Sequence, residues 1–342
     1  APPDNGSNVR KAGRPALDAA ARETISQRVR EDAADLRDWD DLGDRRDADA
    51  RERHVRALVE AVEVDDPPSV IVDVGNGAGG VTVDALQELG CTVETLNAQP
   101  DGAFPGRPSE PTAENCESLA TLVAETDADL GIAHDGDADR MRAVAGDGTY
   151  LSGDVTLALF ARAAAEPGQR VAAPVDTSLA VADHLAEIDV PVERTQVGDV
   201  YVAERVAEEG VAFGGEPSGA WIWPDATLCP DGPLAACRLV ELAAERPLAA
   251  RAAEIDTYPI HRDSVEVAEK AAVMERVQDL VADRYDAVET LDGVRVDLGD
   301  GWFLLRASGT QPLVRITAEA RDAGRAETIA ADARDLLETA RS

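Results

Sequence analysis

Residues His134-Asp135-Gly136-Asp137-Ala138-Asp139-Arg140 hold the most chemically pointed pattern in the chain. Three carboxylates at alternate positions converge on one hard cation when the backbone wraps around it, and oxygen ligands of this kind suit Mg²⁺ or Ca²⁺. Gly136 permits a tight turn and Ala138 adds little bulk. The apolar run 128–133 reads as a buried strand, which would set the carboxylates at a strand's carboxyl end, where open α/β sheets place ligands. A solvated acidic turn is the plainer alternative. An EF-hand loop is excluded, because its sixth place needs Gly and has Arg140, and its twelfth needs Glu and has Gly146. A guanidinium among three Asp suits a site that holds a phosphate as well as a metal.

Three further loops carry chemistry. Gly75, Gly77 and Gly80 fit GxGxxG after the strand 70–74 and before a helix, and Glu94 is expected at the end of the next strand, near where a ribose-binding acid would lie. The competing reading is a strand-to-helix turn that needs glycine for close packing. The chain then leaves the βαβ rhythm for a turn-rich stretch, 97–111, which weakens the nucleotide reading. Gly214-Gly215-Glu216-Pro217-Ser218-Gly219 follows another expected strand. Glu216 can bridge two sugar hydroxyls and Ser218 can add a hydrogen bond; an ordinary polar loop fits equally well. Arg306-Ala307-Ser308-Gly309-Thr310-Gln311-Pro312-Leu313-Val314-Arg315 sets two cations and two hydroxyls around a glycine. That is a compact phosphate cradle or, more simply, a surface hairpin.

The elements that must position these loops follow from patterning. Helices are expected over 14–38, 47–63 and up to 89, then over 113–125, 155–165, 178–188, 200–209 and 234–245, with a turn at Trp39–Gly43. Strands are expected at 70–74, 128–133, 170–174, 191–194 and 211–213. The last stretch reads β-α-β-β-β-α, with helices over 271–284 and 325–340. A chain of 342 residues has room for two to four domains. Its formal charge is −34, yet 44% of residues are hydrophobic, which is not the profile of disorder. Lysine occurs only at Lys11 and Lys270. An acidic, Lys-poor globular chain points to work in concentrated salt, where screening offsets self-repulsion. The same charge argues against nucleic acid or an anionic membrane as partner. Cys91, Cys116, Cys229 and Cys237 form no metal-type pair and read as reduced, cytoplasmic residues. No run is long and apolar enough for a membrane span.

Three of these loops, in this order, resemble those of the α-D-phosphohexomutases, which include phosphoglucomutase, phosphomannomutase and phosphoglucosamine mutase. Asp135 to Arg140 matches the metal loop DGDxDR, Gly215 to Gly219 the sugar loop GExSG, and Arg306 to Pro312 the phosphate loop RxSGTxP. Lesser matches lie at 73–79 and 100–105, and Thr195 to Asp199 resembles the family's third-domain loop. The resemblance covers nearly the whole chain and turns the glycine run into a structural turn. It implies an α/β fold of tandem three-layer domains around a central cleft, plus a smaller C-terminal α+β domain like the TATA-binding protein. The corresponding divisions are 1–45, 46–150, 151–255 and 256–342.

The resemblance also implies phosphoryl transfer between O1 and O6 of a hexose phosphate, through a phosphoserine and a sugar bisphosphate. Asp135, Asp137 and Asp139 would bind Mg²⁺, and Arg140 would contact the phosphoserine region. Glu216 and Ser218 would hold sugar hydroxyls. Arg306, Ser308, Gly309, Thr310 and Arg315 would hold the non-transferring phosphate. A sugar 1,6-bisphosphate would be activator and intermediate, a hexose phosphate the substrate, and the assembly a monomer or homodimer. Ala220 stands where many members have His, and Gln311 where Glu is usual. Ala1 to Gly6 resembles the end of the family's phosphoserine loop, TASHNPxxxNG, so the nucleophile and most of a first domain are expected to be missing from these residues. Two readings of different class follow: a mutase whose opening segment is not in this sequence, or a shortened homologue that only binds sugar phosphate. Gly215-Glu216-Pro217-Ser218-Gly219-Ala220-Trp221 and Cys229-Pro230-Asp231-Gly232 most resemble archaeal phosphoglucosamine mutases, a resemblance that weights the substrate toward glucosamine phosphate and leaves glucose and mannose phosphate open.

Overall fold

The computed structural model describes residues 17, 19–34, 36–38, 40, 41, 43–45, 47–309 and 311–342. The helix expected from residue 14 and the turn at Trp39–Gly43 therefore fall partly outside the described residues, and Thr310 lies outside them altogether. The chain packs as two compact units. The first runs to Ser152 and takes in Val206–Glu208 and Ser218–Ala250; the second comprises Gly153–Arg205, Glu209–Pro217 and Arg251–Ser342.

The first unit begins with α1 (Ala19–Arg30), α2 (Arg51–Glu60), β1 (Ser69–Asp73), α3 (Gly80–Glu88), β2 (Thr92–Leu96), α4 (Glu117–Glu125), β3 (Leu130–His134) and β4 (Met141–Ala145). Its sheet runs β2-β1-β3-β4. Central β1 is parallel to both neighbours, pairing Ile71 with Glu94 and with Gly131. A parallel central strand is covered on both faces, which is why Val70-Ile71-Val72 is an unbroken buried apolar run. Gly131 lets α4 sit directly on β3, since a Cβ there would lie 2.8 Å from Val123 and 3.1 Å from Leu119. Around that contact Ile71, Cys116, Leu119, Val123 and Val144 form one core. Antiparallel β4 was not anticipated from the sequence. Five residues interrupted by Arg142 give too little alternation to read. The helix expected from 113 begins only at Glu117, behind a stretch of turns.

The second unit holds α5 (Gly153–Ala164), β5 (Arg170–Pro174), α6 (Leu179–Ala186), β6 (Val192–Thr195), most of α7 (Asp199–Val206) and β7 (Val211–Gly215). Here β5 lies between β6 and β7 and parallel to both. The chain then returns to the first unit for β8 (Trp221–Ile222) and α8 (Gly232–Glu245). Helix α8 starts cleanly because Asp231 accepts from the Leu234 amide at 3.0 Å and Pro233 occupies the first turn. After α9 (Leu248–Ala252), the second unit adds β9 (Ile260–Glu266), α10 (Lys270–Ala282), β10 (Val288–Glu289), β11 (Val294–Asp297), β12 (Gly301–Ala307), β13 (Leu313–Ala320) and α11 (Ala323–Arg341).

These last strands form an antiparallel sheet in the order β10-β11-β12-β13-β9. Side chains alternate along β12. Phe303 and Leu305 join the core of α10 and α11, while Trp302 and Leu304 pack with Val175, Leu179, Val197 and Ile260. Burial of both faces explains the solid apolar run Trp302 to Leu305. Within that second layer Glu319 is fully buried. It accepts hydrogen bonds from Ser178 Oγ, from the Leu179 amide at 2.8 Å and from Trp302 Nε1 at 2.7 Å, so burial raises its carboxyl group while these donors oppose the rise. No helix among the described residues is long and apolar enough to cross a membrane. All four cysteines are free.

Candidate active site

The acidic loop springs from the end of β3. One carboxylate oxygen each from Asp135, Asp137 and Asp139 lies within 4.8 Å of the others. Ala138, at φ +61°, takes the left-handed turn that wraps them round, an uncommon conformation for a non-glycine residue. Burial, with Asp139 and Asp137 beside it, pushes the Asp135 carboxyl up to about 7, and the Arg140 amide and guanidinium oppose the rise. A carboxylate that resists ionisation among other carboxylates is a site short of positive charge. The Arg140 Nε stands 3.8 Å from Asp135 and 3.9 Å from Asp139, too far for direct hydrogen bonds. Three oxygen donors round one point fit a hard divalent cation such as Mg²⁺.

Polar groups beneath the loop hold its shape. His134 is fully buried; its Nδ1 lies 2.9 Å from the Arg140 carbonyl and its Nε2 2.8 Å from Thr82 Oγ1. Burial drives the imidazole down to about 4, so it is neutral. With Nδ1 as donor to the carbonyl, Nε2 accepts from the threonine hydroxyl. Arg107 spans the other side, donating to Asp73 at 2.6 Å and to the His134 carbonyl at 2.6 Å. Neither Arg107 nor Asp73 exposes more than 5% of its side chain, so this is a buried, fully paired charge. From α8, the Gly232 amide donates to the Ala138 carbonyl at 3.2 Å. Past the loop, Met141 N donates to Gly219 O, and Trp221 Nε1 donates to Met141 O, both at 3.0 Å.

The glycine run serves this loop. The Ala78 amide donates to the Gly136 carbonyl at 3.0 Å, and a Cβ at Gly77 would lie 2.4 Å from that oxygen. Gly79 faces the His134 ring, where a Cβ would come within 2.9 Å. Glu94 sits exposed in the middle of β2 and not at its end, so the ribose-binding arrangement does not form. The close-packing reading of Gly75 to Gly80 accounts for these contacts.

The other predicted residues fall as follows. Ser218 belongs to the first unit, with the acidic loop. Glu216, in the second, is 8% exposed and accepts from the Gly198 amide at 2.7 Å. Arg306 on β12 stands opposite Arg315 on β13, and its Nη1 lies 3.6 Å from Asp292 Oδ2. Arg315 is exposed, with no ion pair among the described residues. Ser308 is buried, its Oγ accepting from the Gln311 amide at 3.3 Å, and Gly309 is exposed.

Sequence reasoning missed several supporting residues. Lys270 Nζ donates to the Ser308 carbonyl and, at 3.1 Å, to that of Gln311, gripping the loop by its backbone. Its rarity was the available signal. Arg107 lay in a stretch read only as turns. Asp176, two residues past β5, has a buried Oδ1 without a hydrogen-bond partner among the described residues; burial raises its carboxyl, and Arg306 opposes the rise.

Comparison with known proteins gives a consistent family. The description "Phosphoglucomutase/phosphomannomutase, alpha/beta/alpha domain II" matches residues 52–148, domain III matches 152–258, and the C-terminal domain matches 264–336. A protein of Methanopyrus kandleri named "Probable phosphoglucosamine mutase" is 46% identical over 309 residues, which cover 87% of this chain and 68% of that one. A like-named protein of Methanothermobacter thermautotrophicus is 44% identical over 334 residues, covering 94% and 74%. Among solved structures, a phosphoglucomutase/phosphomannomutase family protein of Burkholderia thailandensis superposes with a TM-score of 0.83 at 26% identity, covering 95% of this chain and 71% of its own. The N-acetylphosphoglucosamine mutase of Aspergillus fumigatus, solved with GlcNAc-6P and magnesium, shares the fold at a TM-score of 0.62 and 17% identity, covering 85% and 64%. The chain belongs to the phosphoglucomutase/phosphomannomutase family of α-D-phosphohexomutases, and its chemistry is that of an isomerase.

Proposed function

We propose that this chain carries the metal, sugar and phosphate loops of a phosphohexomutase that moves a phosphoryl group between O1 and O6 of glucosamine phosphate. The single observation that carries the reading is the convergence of Asp135, Asp137 and Asp139 within 4.8 Å at the end of β3. Mg²⁺ held there would supply charge stabilisation to the transferring phosphoryl group, which is where such transfer needs help. Arg140 adds a cation beside it. Glu216 and Ser218 orient sugar hydroxyls. Arg306, Ser308, Gly309, Thr310 and Arg315 hold the phosphate that does not react. The sugar preference rests on the names of the archaeal relatives. A sugar 1,6-bisphosphate is the activator in this reading, in keeping with a related mutase solved in complex with glucose 1,6-bisphosphate.

The reaction also needs a nucleophile to carry the phosphoryl group between the two ends of the sugar. No Thr-Ala-Ser-His segment occurs in these 342 residues, and Ser218 and Ser308 have binding roles in this reading. The test compares residues 1–342 with a version extended at its start by a segment ending in Thr-Ala-Ser-His. Both receive Mg²⁺ and a trace of sugar bisphosphate, and 1-phosphate to 6-phosphate conversion is followed. The expected result is binding without turnover by the short chain and turnover by the extended one. Equal rates would show that the phosphoserine is elsewhere. Binding without turnover by both would favour a sugar-phosphate binder that is not an enzyme.

A further inference from the structure

The loop Thr195–Asp199, which resembles the family's third-domain loop, lies outside the metal, sugar and phosphate loops, and its surroundings give it a task. It leaves β6 and places two successive amides against two different carboxylates. The Val197 amide donates to Asp292 Oδ2 at 2.9 Å, and the Gly198 amide donates to Glu216 Oε1 at 2.7 Å. Gly198 sits at φ +134°, a conformation that side chains rarely adopt. Gln196 ties the same loop down by donating from Nε2 to the Leu291 carbonyl at 3.1 Å. The oxygen of Asp292 that accepts from Val197 is also the one 3.6 Å from Arg306 Nη1. Both side chains of that pair are largely buried, 14% exposed for Arg306 and 23% for Asp292, so the charge interaction is weakly screened.

The position of Asp292 is enforced. The next residue, Gly293, lies at φ +87°, and a Cβ on it would come 2.4 Å from the Leu305 carbonyl and 3.0 Å from Arg306 Cα. The turn before β11 therefore closes directly on the strand that carries Arg306. The charge of the same guanidinium is also felt by buried Asp176, two residues past β5, where it opposes the rise that burial imposes on the carboxyl. Arg306 is thus a cation already attended by carboxylates before any phosphate arrives.

We infer that Asp292 is a positioning residue that couples the phosphate loop to the sugar loop, through the path Arg306, Asp292, the Val197–Gly198 peptide and Glu216. This rests on the reading of Arg306 and Glu216 given under Proposed function. With the phosphate site empty, Asp292 holds the guanidinium and the Val197 amide together. A bound phosphate draws Arg306 off Asp292, leaves that carboxylate to the Val197 amide alone, and fixes the peptide whose next amide mounts Glu216. The anchoring phosphate then sets the residue that receives the sugar hydroxyls, so an unphosphorylated hexose meets a less ordered Glu216.

Two substitutions in the full 342-residue chain separate the parts. Asp292→Asn removes the charge but keeps an oxygen that can accept from Val197; Asp292→Ala removes both. Calorimetric titrations with inorganic phosphate and with glucosamine 6-phosphate, in salt that supports the fold, provide the readout. Inorganic phosphate should bind both variants about three- to tenfold more tightly, because a competing carboxylate has gone from beside Arg306. For Asp292→Asn, glucosamine 6-phosphate should gain by the same factor, keeping its ratio to inorganic phosphate. For Asp292→Ala that ratio should fall by about tenfold, because only this variant removes the oxygen that accepts from the Val197 amide. A general packing defect would weaken both ligands and would not be relieved by Asn. An unchanged ratio in Asp292→Ala, or phosphate binding that fails to tighten in Asp292→Asn, overturns the coupling. Should Asp292→Ala not fold, judged by circular dichroism, the Asn variant decides, with the Val197 and Gly198 amide resonances as second measure. These should move on adding inorganic phosphate to the native chain and stay still in Arg306→Ala. If Arg306→Ala binds glucosamine 6-phosphate as the native chain does, the phosphate-loop assignment itself fails, and the coupling with it.

Discussion

Lowering the pH from 8 to 6 should weaken Mg²⁺ binding by about tenfold, through Asp135. Its carboxyl is pushed up to about 7 from the usual 3.8, first by burial and then by the charges of Asp139 and Asp137. A cation must displace the proton it competes with, so the apparent dissociation constant carries a factor of one plus ten to the power of pKa minus pH. With a pKa near 7 that factor is about 1.1 at pH 8 and about 11 at pH 6. An ordinary carboxyl would change it by roughly 1% over the same interval. Binding should also release about half a proton per ion at pH 7, rising toward about one at pH 6. Calorimetry in two buffers of different ionisation enthalpy measures both quantities. The linked stability effect has a fixed sign. Because the folded pKa is raised, the group favours the metal-free fold below its unfolded value near 3.8, and that contribution is lost as pH rises toward 7. Added Mg²⁺ should therefore raise the melting temperature more at pH 8 than at pH 6. Affinities equal within twofold at the two pH values would refute the argument, since Asp135 would then not be both buried and a ligand.

Other expectations can be measured directly. Gly77→Ala places a methyl 2.4 Å from the Gly136 carbonyl. Relieving that overlap should cost about 1–3 kcal/mol of folding stability in urea and loosen the metal loop, lowering Mg²⁺ affinity; a nucleotide-binding run would leave Mg²⁺ affinity alone. Lys270→Met keeps the stem and loses both carbonyl contacts. It should reduce affinity for sugar phosphate by about 1–2 kcal/mol and leave Mg²⁺ binding unchanged, by calorimetry. With a formal charge of −34, the melting temperature should climb between about 0.1 M and 2 M KCl, and a flat profile would remove the electrostatic reading of the composition.

The sequence makes the loops easier to read than their supports. Unbroken apolar runs such as Val70 to Val72 and Trp302 to Leu305 mark strands buried on both faces, and β5 matches its expected span of 170–174 residue for residue. Alternate Asp residues after such a run are equally plain. The support beneath them is hidden because it joins residues distant in sequence: Arg107 with His134, Gly77 with Gly136, and Gly232 with Ala138. Each is a backbone carbonyl meeting a donor or a glycine, which no side-chain pattern advertises. β4 and β8 escape for a related reason, since Arg142 breaks the apolar run of β4 and β8 is only two residues long. The glycine run shows the opposite hazard, a spacing that fits a nucleotide fingerprint and serves to let two loops touch.

The grip of Lys270 on the phosphate loop has a practical side. Beside the amino terminus, the chain offers amine chemistry only two side chains, Lys11 and Lys270. Isotope-labelled reductive methylation would therefore yield a spectrum of very few methyl signals, one of them from the ammonium that holds the Ser308 and Gln311 carbonyls. A protein this poor in lysine has a reporter already installed at one loop, and ligand arrival there can be followed without adding a probe.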